Sequence, residues 1–198
     1  KVEKTTGRIV WRSAQSGNTM TSGGAFSSPI IAELHGVEQV VVFTGAALMG
    51  VDVDSGRVLW SQPVTNFRGL NIVTPFVHDN VIFVSQHRNG SYYYKTVREG
   101  EAGRFRVEPV WRNKGSGYMS SPIVIGGFAY LHLGNGRFTC VDLASGDERW
   151  RTRPLGEYWS LLWQGDRILA LAEDGTLRLI QANPDRFVLM DEREVAAA

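Results

Sequence analysis

Few residues of the chain combine a reactive side chain with a spacing that supports catalysis or metal binding. The single Cys140 has no partner for an internal disulfide, and it excludes metal sites built from paired cysteines. No Gly-x-Ser-x-Gly segment is present to mark a serine nucleophile. None of the histidines is spaced as a metal-binding pair: His35, His78, His87 and His132. Four of the carboxylates stand at probable turns: Asp52, Asp54, Asp142 and Asp174. These patterns predict neither a catalytic centre nor a metal site.

The composition is that of a folded globular protein. Its 198 residues are 43% hydrophobic and 21% charged, which excludes an intrinsically disordered chain. The formal net charge is +1, too small to favour binding to nucleic acid or to an acidic membrane surface. No apolar run approaches the roughly 18 residues that a transmembrane helix requires. Function must therefore be sought in how the chain is organised.

A short motif recurs along the chain and indicates an internal repeat. The pattern Asp-x-x-Ser-Gly-x-x-x-Trp runs from Asp52 to Trp60 and again from Asp142 to Trp150. Partial copies end at Trp11 and Trp111, and the last copy has Met190 where the Trp would stand. Successive copies are 49, 51, 39 and 40 residues apart. This period is typical of β-propeller blades.

A second marker lies out of phase with the first. Pro29, Pro75 and Pro122 each follow Ser or Thr and open a short apolar run, and Tyr158–Leu162 occupies the same place in the last unit. A β-branched or aromatic run follows each of these segments, as expected for strands. Each unit thus holds four short strands, which predicts an all-β fold, a propeller of four-stranded antiparallel blades.

The two markers also predict where the blades lie and what the motif residues do. In the motif, Asp and Ser cap turn amides, Gly adopts a positive φ, and Trp packs between neighbouring blades. The residues predicted to have these structural roles are Trp11, Asp52, Gly56, Trp60, Trp111, Asp142, Gly146 and Trp150. The complete blades are 25–62, 72–113, 119–153 and 157–194, and 6–13 is an orphan outer strand. This orphan strand implies a preceding blade, so we expect the chain to be one segment of a larger propeller.

The motif resembles the repeat of the PQQ-binding-like β-propeller family, which ends in Ala-x-Asp-x-x-Thr-Gly-x-x-x-Trp. The present chain is most similar to the branch of outer-membrane protein assembly factor B-like proteins, with Ser in place of the family's Thr. The resemblance implies a ring of about eight blades and a location in the bacterial periplasm or envelope. It leaves function open, because the same blades build quinoprotein dehydrogenases and assembly scaffolds.

Loops that enter the first strand of a blade and loops that join its second and third strands share one face of a propeller. The longest of these connections carries three tyrosines beside Arg88, and Tyr and Arg are enriched in binding hot spots. The alternative for the tyrosines is a hairpin extension in which two of them share one sheet face. The predicted binding residues are Asn66, Arg68, Asn71, Arg88, Tyr92, Tyr93, Tyr94, Tyr118 and Trp159.

The leading functional hypothesis is a non-enzymatic scaffold that binds a protein or peptide without a cofactor. Self-association through exposed blade edges is a further possibility. The alternative is a fragment of a PQQ-dependent oxidoreductase, which would require PQQ with Ca²⁺ and a carboxylate base. A third class is a glycan-binding module that stacks sugars on Trp159 and Trp163, although Trp163 is expected in the core.

Overall fold

The computed structural model describes residues 1–13, 26–65, 67–68, 70–100 and 103–195. Within these ranges the chain forms strands, turns and connections only, arranged as a four-bladed β-propeller. Each blade is a sheet of four antiparallel strands that follow one another in chain order. The fold class predicted from the repeats is confirmed. No helix long and apolar enough to cross a membrane occurs in the described ranges.

The strands are short, and their bounds follow the chain in four groups. The first blade contains β1 (Ile30–Leu34), β2 (Val37–Phe43), β3 (Ala47–Asp52) and β4 (Val58–Pro63); the second contains β5 (Phe76–His78), β6 (Val81–Gln86), β7 (Gly90–Arg98) and β8 (Phe105–Asn113). The third contains β9 (Ile123–Ile125), β10 (Phe128–His132), β11 (Arg137–Asp142) and β12 (Glu148–Pro154); the fourth contains β13 (Ser160–Gln164), β14 (Arg167–Leu171), β15 (Thr176–Gln181) and β16 (Val188–Glu194).

The turn before the outermost strand is built as its residue types predict. In the first blade the Asp52 carboxylate accepts hydrogen bonds from the Ser55 amide at 2.7 Å and from the Ser55 hydroxyl at 2.6 Å. These bonds from Ser55 lower the pKa of Asp52. Gly56 and Gly146 have φ of 73° and 80°, a region that favours glycine. The predicted capping of this turn by Asp and Ser is confirmed.

A β-bulge interrupts the pairing of the third and fourth strands in every blade. Before the bulge, Trp60 pairs with Gly50 and Trp150 pairs with Cys140. In the fourth blade the residue at this place is Asp191, which pairs with Leu179. The prediction that Met190 replaces the Trp was wrong by one residue, because Met190 is the extra, unpaired residue of the bulge, as Leu59 and Arg149 are in the first and third blades.

Buried clusters fill three seams between neighbouring blades. Phe43 and Leu48 of the first blade pack with Ile82 of the second, and Phe83 of the second packs with Leu131 of the third. The seam between the third and fourth blades holds the largest aromatic group: Tyr130, Phe138, Trp150 and Trp159, with Ile168 and Ile180 facing them. The core therefore consists of layers between sheets, as the repeat pattern requires.

Tryptophans fasten one blade to the next across the seams. The indole nitrogens of Trp11, Trp111 and Trp150 donate to the carbonyl oxygens of Val53, Leu143 and Asn183, at 2.9, 2.8 and 2.8 Å. Each acceptor lies in the turn between the third and fourth strands of the next blade. In two of these turns the motif glycine lies directly under the ring, and a Cβ there would stand 2.6 Å from the indole: Gly56 under Trp11 and Gly146 under Trp111. We call this arrangement the Trp–turn contact.

The segment before the first blade is attached by the same contact. Residues 1–13, part of which was predicted as an orphan outer strand, contain one isolated bridge, between Val2 and Ile9. Trp11 supplies the indole that lies on Gly56. The terminal ammonium group of Lys1 also donates to the Trp11 carbonyl, at 2.9 Å.

Trp60 departs from this arrangement. Its indole nitrogen donates to Oε1 of Gln39, in its own blade, at 2.7 Å, and the ring lies over Gly50, where a Cβ would stand 2.1 Å away. The next blade has no Ser-Gly turn for the ring to lie on. Trp60 is consequently buried among the side chains of the first seam, which include Tyr94 and Phe105.

The Trp–turn contact predicts that Gly146→Ala destabilises the protein through the seam. The new methyl group would press on Trp111, and overpacking of this kind costs about 1–3 kcal/mol. Gly126→Ala is the matched control, because Gly126 also has positive φ (58°) but no atom within 4 Å of a new Cβ. Urea unfolding followed by Trp fluorescence compares the two. Equal losses would show that backbone strain alone matters and that the seam tolerates the methyl group.

Adjacent residues in β14 provide a second prediction, because they lie on opposite faces of the fourth blade. Ile168 is fully buried against the third blade, whereas Leu169 is 38% exposed on the outer face, near Leu162, which is 68% exposed. Ile168→Ala should cost about 2–5 kcal/mol of unfolding free energy. Leu169→Ala should cost less than about 1 kcal/mol. The urea midpoints test this; a larger loss at Leu169 would place a packed surface over the outer face.

Candidate functional site

One face of the propeller is assembled from loops of neighbouring blades that hydrogen-bond to one another. The Gly134 amide, in the β10–β11 turn, donates to the Ser116 carbonyl of the β8–β9 connection at 3.0 Å. The Ser116 hydroxyl accepts a bond from the Gly90 amide, at the start of β7, at 2.8 Å. Loops of the second and third blades are thus joined to each other as well as to their own sheets.

Four rings on this face form a continuous line, which we call the aromatic row. Phe67 lies between the first and second blades, His87 in the β6–β7 turn, Tyr118 between the second and third blades, and Tyr158 between the third and fourth. Successive ring centroids are 5.8, 4.2 and 5.9 Å apart. Each ring comes from a different connection, so the row exists only because the blades pack side by side.

Cationic side chains flank the aromatic row. The guanidinium carbons of Arg68 and Arg88 lie 5.2 and 4.9 Å from the centroid of Phe67, within the range of a cation–π contact. Lys114 extends from the neighbouring connection and is exposed. In the described part of the chain, none of these three cations forms a salt bridge with a carboxylate.

Three of the six non-glycine residues with positive φ in the described ranges lie around the aromatic row, and the other three lie in the β1–β2 and β5–β6 turns. Arg68, Arg88 and Tyr158 have φ of 55°, 57° and 49°, in the left-handed region that residues with a Cβ seldom adopt. Such a conformation costs on the order of 1 kcal/mol or more for each residue and persists only where the surrounding structure imposes it.

A cleft of about 520 Å³ opens beside the aromatic row. His87, Arg88, Lys114, Tyr118 and Tyr158 are among the residues that line it, and no Asp or Glu is. A carboxylate does line the smaller cavity next to it, where Glu157 stands beside Tyr158. The cleft is therefore a cationic depression with aromatic walls.

The imidazole of His87 is partly buried in this wall. Burial, and then the charge of Arg88, lower its pKa, so the imidazole is neutral at pH 7. Its Nδ1 is buried and has no hydrogen-bond partner among the described residues. The ring meets Phe67 in an edge contact and packs on Tyr118 at a tilt, so the side chain serves the aromatic row by packing.

Two of the predicted binding residues are buried. The Asn71 amide donates to the Thr44 carbonyl at 2.7 Å, and Asn71 accepts a bond from Gln86 at 3.2 Å. Trp159 is 2% exposed and stacks on His132, with ring centroids 4.7 Å apart. A partner on the surface cannot reach either side chain, which corrects the prediction for both. Asn66 lies outside the described residues.

The three tyrosines of β7 belong to the seams, which also corrects the predicted patch. Tyr92 and Tyr94 stack at 6.0 Å on one face of the second blade, and burial raises the pKa of Tyr94 to about 12. Tyr93 lies on the other face and stacks on Trp111 at 5.3 Å. The alternative prediction, a hairpin strand in which two of the three tyrosines share one sheet face, describes them correctly. By contrast Trp163, expected in the core, is 58% exposed.

The structure retains Arg68, Arg88 and Tyr118 at the site and adds Lys114 and the packing role of His87. Neither addition had a signal in the sequence, since Lys114 is one charge among many and His87 gains its role from two other connections. In the described ranges, no three side chains from His, Cys, Asp and Glu are grouped so that they could hold a metal ion. The site has the character of a binding surface.

Comparison with known sequence families decides the family. The profile described as outer membrane protein assembly factor BamB matches residues 1–152. The chain belongs to this family. The match includes the first two blades entirely and nearly all of the third, together with every Trp of the Trp–turn contacts. A comparison with curated protein sequences finds no match.

Solved structures share the fold at low sequence identity. BamB from Moraxella catarrhalis superposes with a TM-score of 0.70 at 14% identity, over 96% of this chain and 56% of that protein. The quinohemoprotein alcohol dehydrogenase ADHIIG from Pseudomonas putida HK5 gives 0.56 at 11% identity, over 87% and 34%. The computationally designed Ika4 protein gives 0.55 at 11% identity, over 89% and 99%. The chain thus spans little more than half of the BamB structure, and these likenesses concern the fold.

Proposed function

We propose that this chain is a non-enzymatic propeller scaffold that presents the aromatic row to a protein or peptide partner, in the assembly of the bacterial envelope. The observation that carries the proposal is the row itself, with four rings from four connections and cations beside them that form no salt bridge with a described carboxylate. Membership of the BamB family, named for an assembly factor, supports the biological setting. The periplasm is the compartment that this setting implies.

The chemistry of the row suits protein recognition. Tyr and Arg are enriched among the residues that dominate binding energy, and they act best on a rigid support. Tyr158 is 41% exposed and Met119 beside it in the same region is 53% exposed, so apolar surface is available to a partner. A stable interface covers about 800 Å² on each partner. The row draws its rings from four connections, so a partner bound there would contact several blades.

Quinoprotein chemistry is the second candidate, supported by the fold shared with a quinohemoprotein dehydrogenase. PQQ with Ca²⁺ would need several oxygen ligands around the ion, a carboxylate base and cations for the cofactor's carboxylates. The described residues supply cations at the cleft, but no cluster of carboxylates stands near them. The donor set of the described residues does not fit PQQ with Ca²⁺.

Site-specific photocrosslinking tests the scaffold proposal. A benzoylphenylalanine at Tyr158, in the aromatic row, should form adducts with the partner when the protein is incubated with a bacterial envelope extract. The control is the same residue at His78, whose side chain is 69% exposed and which ends β5, away from the loops of the aromatic row. Mass spectrometry identifies the adducts.

Arg68→Ala combined with Arg88→Ala should reduce the adduct at Tyr158 about tenfold, because two cations beside the rings are lost. Adducts of the same identity and yield from Tyr158 and His78 would mean that capture is unspecific. That result would contradict a binding role for the aromatic row.

The second candidate is tested by titrating PQQ in the presence of Ca²⁺ and following tryptophan emission. We expect no saturable quenching, because the described residues lack a set of calcium ligands. Quenching that saturates and is reversed by a chelator would replace the scaffold proposal with the quinoprotein one.

A further inference from the structure

Two cations from separate loops line the cleft, and neither forms a salt bridge with a described carboxylate. Arg88 comes from the β6–β7 turn and Lys114 from the β8–β9 connection, and both line the cleft. A third cation, Arg151, also lines it, but its Nε donates to Glu148 at 2.8 Å and its charge is thereby matched. Two cations with no carboxylate in the same cleft repel each other, and an anion between them removes this cost.

The polar groups around these cations are arranged for a small anion. Ser116 and Asn135 line the cleft next to the cations, and hydroxyl and amide groups both donate to carboxylate oxygens. The Ser116 hydroxyl already accepts the bond from the Gly90 amide, which leaves its own proton free to donate. An anion here would receive charge-assisted hydrogen bonds, which are stronger than neutral ones.

The surroundings of the cleft favour an acidic peptide over other anions. A polyanion such as nucleic acid is bound by extended basic surfaces, whereas the whole chain has a net charge of +1. The adjoining rings of Tyr118 and Tyr158 are tilted by 48° and offer separate contacts to apolar side chains. A neutral glycan needs open ring faces for stacking, whereas the His87 ring already packs on Tyr118 and meets Phe67 in an edge contact.

We infer that the cleft binds a carboxylate of an acidic, aromatic-containing peptide segment, held by Arg88 and Lys114 while its apolar side chains lie on Tyr118 and Tyr158. The inference rests on the proposed function for the location of the partner and adds the chemical class that the site recognises. The carboxylate is that of a glutamate or aspartate side chain or of a chain terminus.

Fluorescence anisotropy with defined peptides tests it on the full chain. The probe is a labelled twelve-residue peptide with four glutamates and two phenylalanines in a Gly-Ser background, and the matched probe has glutamine at the four positions. The glutamate peptide should bind saturably and at least about tenfold more tightly than the glutamine peptide. A third peptide, with glutamines inside and a free carboxyl terminus after phenylalanine, distinguishes a terminal from a side-chain carboxylate.

Lys114→Gln and Arg88→Gln should each weaken binding of the glutamate peptide about tenfold, and they should leave binding of the glutamine peptide unchanged. Lys95→Gln is the matched control, since Lys95 is an exposed lysine near the opposite end of the second blade, paired with Val81. It should change neither affinity. All three side chains are exposed, and thermal unfolding checks that the variants fold.

Three results would overturn the inference. Equal affinity for the glutamate and glutamine peptides, lost in Tyr118→Ala, would leave the aromatic row as the binding surface without a carboxylate site. Displacement of the probe by a neutral oligosaccharide such as maltohexaose would indicate a glycan site. Failure of both peptides to bind, while crosslinking at Tyr158 still captures a partner, would likewise reject the carboxylate and retain the proposed scaffold role.

Discussion

The contact of a tryptophan with the turn of the next blade is the interaction on which the rest of this structure depends. A blade has a two-sided apolar sheet and cannot be stable alone, so each seam must be closed at a fixed distance. The indole sets that distance because it lies flat on a glycine and donates to a carbonyl of the same turn, as Trp111 does with Gly146 and Leu143. A residue with a Cβ would hold the two sheets further apart.

The first seam shows what happens when the turn is missing. The second blade replaces the Ser-Gly turn by a longer hairpin, and Trp60 turns to Gln39 in its own sheet. The seam is then closed by larger side chains, with Tyr92 stacked on Tyr94 and Phe105 beside them. Tyrosines that resemble a surface patch in the sequence are thus the compensation for a lost turn.

The sequence predicted whatever depends on local chemistry. Turn residues and the spacing of Trp set the blades, because Gly, Asp and Ser act within a few residues of themselves. Prediction from the sequence failed where contacts with an adjacent blade or strand determine the position of a side chain. Burial of Asn71 and Trp159 depends on an adjacent blade, and the place of Asp191 at the Trp position is set by its pairing with Leu179 across strands. The aromatic row joins four distant connections, and only Tyr118 of its rings had been selected as a binding residue.

The packing in the seams also holds the loops of the candidate site in place. Arg68, Arg88 and Tyr158 hold a left-handed backbone conformation that costs free energy, and each lies in a loop whose ends are fixed by strands of the propeller. The rigid sheets supply the stability that maintains this strain. A partner bound on the aromatic row therefore meets groups already held in place, and loses less entropy on binding than it would with flexible loops. In this fold, the same packing that closes the seams prepares the surface for recognition.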